Sequence, residues 1–189
     1  MQMRKALKKL GAALAAVFTA GALSGCAKRE GAQGQVHDSR YSLAFPLRQG
    51  GEQIDFLVRV KDLERAYQFN LIFVERDEWP DDKKEHLRQM YRGQGMDDGE
   101  SPPSPVRLRI RIDSAGRHKG RPVHIDKLFS GRSPFYGQRM TDNEIWRAQN
   151  IHAAKFEPGI YRVRVDNLAP APQLDFETRF LFERDDRVY

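Results

Sequence analysis

Between Val106 and Ile112 the chain alternates without exception: Val106, Leu108, Ile110 and Ile112 are aliphatic, and Arg107, Arg109 and Arg111 stand between them. Successive side chains of an extended strand point to opposite faces, so this pattern fits a strand with one buried and one wet face and does not fit a helix. The same period recurs. Tyr41, Leu43, Phe45 and Leu47 alternate, as do Ile54, Phe56, Val58 and Val60; Tyr67, Phe69, Leu71 and Phe73; Tyr161, Val163 and Val165; and Leu174, Phe176, Thr178, Phe180 and Phe182. Six strands are implied. A seventh is expected over residues 147–156, joined to its successor by Glu157-Pro158-Gly159, with Pro fixing the first turn position and Gly supplying a positive φ at the second.

About 24 large apolar side chains fall on the inward positions, enough at roughly 1.5–3 kcal/mol each for one core. The expected fold is mainly β: an antiparallel β-sandwich of seven or more strands, each sheet with one wet face, with a closed barrel as the alternative that alternation alone does not exclude. One segment departs from period two. Residues 79–91 open with Pro80, Asp81 and Asp82 and set Leu87, Met90 and Tyr91 on one face at helical spacing, which predicts a short helix. Residues 97–105 are expected to be a Pro-rich loop, and residues 114–143, broken by Gly or Pro every few positions, are expected to be irregular.

The N-terminus carries a different signal. Arg4, Lys5, Lys8 and Lys9 precede an uncharged run from Leu10 to Leu23, which as a helix rises about 21 Å and falls short of a roughly 30 Å hydrocarbon core. This is the pattern of an export signal. It ends in Leu23-Ser24-Gly25-Cys26, and Cys26 is the single cysteine of the 189 residues. The chain here resembles bacterial lipoproteins, whose lipobox has an apolar residue, two small residues and a cysteine. The resemblance implies that Cys26 is joined through its sulfur to a diacylglycerol, that residues 1–25 are removed, and that the new amine is acylated. Two or more acyl chains, at about 0.8 kcal/mol per buried methylene, hold a protein stably on a membrane. Ala27, which is not Asp, implies sorting to the outer membrane, facing the periplasm. Residues 26–40 then read as a flexible tether with no folded element, and residues 41–189 as the sandwich domain.

Processing changes the meaning of the charge. The whole chain has 32 basic and 26 acidic residues, a net of +6 that on its face suggests a nucleic-acid partner. Removing the four basic residues of the signal leaves 28 against 26, a net of +2. No nucleic-acid partner is therefore expected.

Motifs for catalysis are missing from the sequence. The five histidines lack metal-ligand spacing, Asp81, Asp82 and Glu85 fit the dipole of a helix start, and Ser130-Gly131-Arg132-Ser133 is not a nucleophile elbow. A non-enzymatic protein without metal or cofactor is expected. Two interaction surfaces stand out. Arg107, Arg109 and Arg111 on one strand and Arg162 and Arg164 on another form an outward stripe, which either pairs with Asp166, Asp175 or Glu177 or presents a basic face to a partner. Phe129, Phe135, Tyr136 and Trp146 are expected in the irregular stretch rather than on a strand, with Arg132 and Arg139 adjacent, which is the composition of a loop interface or of a loop packed on its own sandwich.

The strands over 41–47, 54–60 and 67–74, and the run from Phe156 to Leu168 with the strand after it, resemble an uncharacterised family of proteobacterial lipoproteins known as a domain of unknown function. The resemblance implies an all-β lipoprotein and transfers no catalytic residue. Such small lipoproteins are also similar to immunity proteins that shield the envelope from secreted toxins. Three functions follow as expectations: a lipid-anchored binding module with a protein partner in the envelope, of which an immunity protein is one form; a structural or assembly lipoprotein of an envelope complex; and, behind both, a ligand-handling or hydrolytic enzyme.

Overall fold

In a computed structural model of the chain, the residues described are 34–38, 40–92, 105–116, 121–130 and 135–185. The strands are β1 (Val36–Asp38), β2 (Arg40–Ala44), β3 (Gln53–Val60), β4 (Ala66–Arg76), β5 (Leu108–Ala115), β6 (His124–Phe129), β7 (Phe135–Thr141), β8 (Glu144–Lys155), β9 (Gly159–Asn167) and β10 (Thr178–Arg184), and the helix α1 (Asp81–Arg92) lies between β4 and β5. They make two five-stranded sheets, ordered β1-β3-β9-β5-β6 and β2-β10-β4-β8-β7. Every pairing is antiparallel except β1 with β3. The sandwich expectation holds, and the barrel alternative falls because neither sheet closes.

The inward faces are those that period two marks. Ile54, Phe56 and Val58 of β3, Leu108, Ile110 and Ile112 of β5, and Tyr161, Val163 and Val165 of β9 meet Leu71, Phe73, Phe180 and Phe182 of the second sheet in one core. Phe180 joins the layers, 5.9 Å from Phe56 and 6.5 Å from Phe69 between ring centroids. Helix α1 sends Leu87 fully into this core, with Met90 packed at its edge. Phe45 and Leu47 beyond β2, and Leu174 and Phe176 before β10, are buried without being strand residues.

Several sequence expectations need correction. The tether does not run to residue 40: Val36–Asp38 pairs in parallel with β3, and the Asp38 carboxylate binds Lys61 at 2.7 Å. An edge strand of three residues, held by backbone bonds and one carboxylate, needs no apolar alternation. Residues 114–143 are not irregular throughout, since β6 and β7 lie within them. Strand β6 is the edge of its sheet and buries Phe129 alone, so little periodicity marks it. Gly159 does not take a positive φ; it opens β9 opposite Val60. Finally, the second sheet is not wet on its outer face. Strand β4 is buried over nine consecutive residues, and Ile72, Val74, Trp146, Ala148 and Leu181 form a separate apolar cluster there. Between β10 and β8, β4 is the central strand, and side chains from both neighbours cover it.

Candidate functional site

The outward side of the first sheet carries the arginine stripe. Register sets Arg109 opposite Asp166, Arg111 opposite Arg164, and Asp113 opposite Arg162 across β5 and β9; β3 brings Asp55 opposite Arg164, and β6 brings Asp126 opposite Arg111. The ion pairs do not follow these direct oppositions. They run along diagonals, because the twist of a sheet brings one diagonal neighbour closer than the other. Arg109 donates Nε and Nη2 to Asp126 at 2.8 and 2.5 Å, and Arg162 donates the same two groups to Asp55 at 2.8 and 2.5 Å. Arg111 Nη2 donates to Asp166 at 2.5 Å, and Arg164 Nη2 donates to Asp113. His124 Nδ1 lies 2.5 Å from the other oxygen of Asp113.

Four arginines and four aspartates thus interlock across four strands. The electrostatics follow the geometry. The hydrogen bond from Arg109 holds the Asp126 carboxyl below the usual carboxylate range, and Asp126 in turn raises Arg109. Asp113 is lowered first by His124 and further by Arg164, against the opposing effect of its burial. Asp55 raises Arg162. Between β3, β9 and β5 the face dips into a cleft of about 290 Å³, lined by Gln53, Asp55, Arg111, Arg162, Arg164 and Asp166 among others.

Of the predicted stripe, Arg109, Arg111, Arg162 and Arg164 are therefore brought together, already paired. Arg107 stands just before β5, exposed, and among the described residues its side chain makes no ion pair. The predicted partners were mostly others: Asp166 is correct, whereas Asp175 approaches Lys83, and Glu177 binds Arg76 and Arg179. The other partners are Asp55, Asp113 and Asp126, of which Asp113 continues the outward series Arg107, Arg109, Arg111. Asp55 likewise occupies an outward position of β3.

The aromatic group is not one loop. Phe129 sits in β6 and is buried in the core. Phe135 opens β7, paired with Gln149, and its side chain lies outside the described residues. Tyr136 and Trp146 are on the outer face of the second sheet. The Tyr136 hydroxyl donates to Glu183 at 2.6 Å, and the guanidinium carbons of Arg40 and Arg179 stand over the Trp146 ring, 5.8 and 5.4 Å from its centroid. Arg139 binds Asp77 at 2.6 Å, and Arg132 lies outside the described residues. So does Cys26. Among the described residues no three of His, Cys, Asp and Glu converge as a metal site, and no helix is long and apolar enough to cross a membrane.

Comparison with known proteins places the fold in company. A family model described as a domain of unknown function, DUF5625, matches residues 42–183. A crystal structure of a protein from Sulfurospirillum deleyianum is similar, with a TM-score of 0.55 and 14% identity over 79% of this chain and 99% of that one, a likeness of fold alone. No curated protein matches the chain significantly.

Proposed function

Because the chain belongs to the DUF5625 family, a domain of unknown function, we propose its role from its own residues: it is an exported, lipid-anchored binding module of the envelope, non-catalytic, which holds a protein partner on the outward face of its first sheet. The lipobox ending at Cys26 supports the anchor. Val36 begins β1 ten positions later, and a fully extended chain of that length spans at most about 35 Å, so the domain stays close to the membrane that holds the acyl chains. Sorting to the outer membrane, toward the periplasm, follows from Ala27 within the same reading.

The observation that carries the binding role is the interlocked charge face. Its arginines and aspartates are clamped by one another on an open sheet surface, so a partner meets a fixed pattern of charge and little side-chain freedom is lost on contact. The pairing also supports a non-catalytic role. Asp113 and Asp126 are held as carboxylates well below neutral pH, far from the poise of a general acid or base. An immunity-type protein, which captures a toxin acting on the envelope, is one form this module can take.

Two experiments test the reading. Metabolic labelling with a fatty acid is expected to tag the wild-type protein and not Cys26→Ser; equal labelling removes the anchor. Joint Arg109→Glu and Arg111→Glu substitution is expected to abolish capture of the partner from detergent-solubilised envelopes while circular dichroism shows the sheets retained; the melting temperature falls, because the Arg109–Asp126 pair is exposed but the Arg111–Asp166 pair is half-buried. Undiminished capture by the double variant removes the face from the account.

A further inference from the structure

Three large apolar side chains stand exposed among the described residues: Leu63, Leu128 and Leu168. Leu128 belongs to the open face. The other two mark opposite ends of the sandwich, since Leu63 follows β3 and Leu168 follows β9, which runs antiparallel to it. Their surroundings differ in sign. Leu63 lies between two acids, Asp62 and Glu64. Leu168 donates its backbone N–H to the Arg107 carbonyl at 2.8 Å, and Ala171 donates to the carbonyl of Leu47, the residue before Arg48, at 3.0 Å. Arg48 and Arg107 are exposed, and among the described residues neither side chain makes an ion pair. Buried Asn167 pins the three segments together: its Nδ2 donates to the Leu47 carbonyl at 3.1 Å and to Glu52 at 2.7 Å, and its own carbonyl accepts from Gly51 at 2.8 Å. The Glu52 carboxylate is thereby turned onto its own loop, its other oxygen accepting from the Gln49 N–H at 2.9 Å.

We propose that this end of the sandwich rests on the bilayer that holds the acyl chains of Cys26, with Leu168 entering between the headgroups and Arg48 and Arg107 meeting lipid phosphates. The assignment rests on the anchor reading above. Direction supports it: β1 runs parallel to β3 with Val36 beside Leu57, so the chain that leads from Cys26 arrives from the side where β3 begins, and β3 begins at this end, Gln53 opposite Asp166. Leu57 is about 13 Å along the strand from Gln53, well within the reach of at most about 35 Å between Cys26 and Val36. Charge supports it too, because the acids beside Leu63 at the other end are repelled by an anionic lipid surface that attracts Arg48 and Arg107. One leucine and two arginines hold a free domain on a membrane only weakly, but on a domain already anchored the docking is intramolecular and needs no more. A sandwich standing on its end leaves the outward face of the first sheet clear for a partner.

The test uses the purified acylated protein in vesicles of phosphatidylethanolamine and phosphatidylglycerol. Cys26 is the single cysteine, and in the acylated chain its sulfur is taken, so an introduced cysteine carries a thiol-reactive fluorophore alone. Gln49→Cys places the label at the proposed docking end and Glu64→Cys at the opposite one, both on exposed positions. Lipids carrying a nitroxide near the top of the acyl chain are expected to quench the label at position 49 and not at position 64. Adding Arg48→Gln and Arg107→Gln is expected to lower the docked-to-free ratio roughly fivefold for each arginine, and Leu168→Asp to lower it as well. Quenching at position 64 in place of 49, or at neither, overturns the docking, and quenching at 49 that survives all three substitutions overturns its assignment to these residues. A wild-type chain that itself takes the label has a free Cys26, which removes the anchor and this inference with it. A wild type that stays unlabelled while position 49 escapes quenching removes the docking alone.

Discussion

His152 lies on the inward side of β8 with its ring 6.0 Å from that of Phe69, and its Nδ1 faces Lys127 Nζ at 3.3 Å across the gap between the sheets. Burial, and then the charge of Lys127, push its pKa down to about 4 from 6.5. The neutral ring is the folded form, with Nδ1 accepting from Lys127. As pH falls below 6.5 the unfolded chain takes up a proton at this position that the folded chain refuses, so stability falls between pH 6.5 and about 4 and is constant in this respect above and below. The full loss is of order 3 kcal/mol. Chemical denaturation at a series of pH values is expected to show this slope in the wild type and a flatter one in His152→Gln. An unchanged slope in the variant would place the acid sensitivity elsewhere. The lowered carboxylates act further down the scale: Asp113 contributes stability above its ordinary value near 3.8 and loses it as pH falls through its lower folded value.

The connection between β2 and β3 shows how one element depends on backbone more than on side chains. Gly50 and Gly51 both take positive φ, 79° and 82°, but a Cβ on Gly50 would meet the Pro170 nitrogen at 2.9 Å, whereas one on Gly51 meets nothing within 4 Å. Gly51→Ala is therefore expected to cost only its left-handed strain, about 1–2 kcal/mol. Gly50→Ala pays the same strain and must also displace the 168–171 segment, so its denaturation midpoint should fall further. Equal midpoints would mean that this segment yields freely. Strands differ in the same way in how plainly the sequence announces them. Strands β3, β5 and β9 each bury one face and wet the other, so their alternation is legible residue by residue. Strand β4 is buried on both faces, which leaves its position legible and its outer contacts not. The edge strands β1 and β6 bury almost nothing, and hydrophobic pattern says little about a strand held by backbone bonds at a sheet margin. The arginines of the candidate face were legible as outward positions. Their partners were not, because Arg111 and Asp166 are 55 residues apart and which diagonal closes depends on register and twist, not on either residue.

At the scale of the whole molecule the two sheets present different outer surfaces. The second covers its apolar cluster with its own side chains: Arg40 and Arg179 stand over the Trp146 ring, and Tyr136 and Met140 pack against the cluster. The first lies open, with its charges interlocked and Leu128 of β6 standing 75% exposed beside them, opposite Arg109. With the proposed anchor at Cys26, only ten positions before β1, such a face would stay near the membrane. The proposed partner therefore belongs on the first sheet and not on the second. A photo-reactive amino acid placed at position 128 on the open face, and in a separate variant at exposed position 138 on β7 of the second sheet, tests this in living cells. The account predicts a discrete protein adduct from position 128 that Arg109→Glu with Arg111→Glu removes, and none from position 138; an adduct from position 138 alone, or one from position 128 that survives the charge reversal, would contradict it.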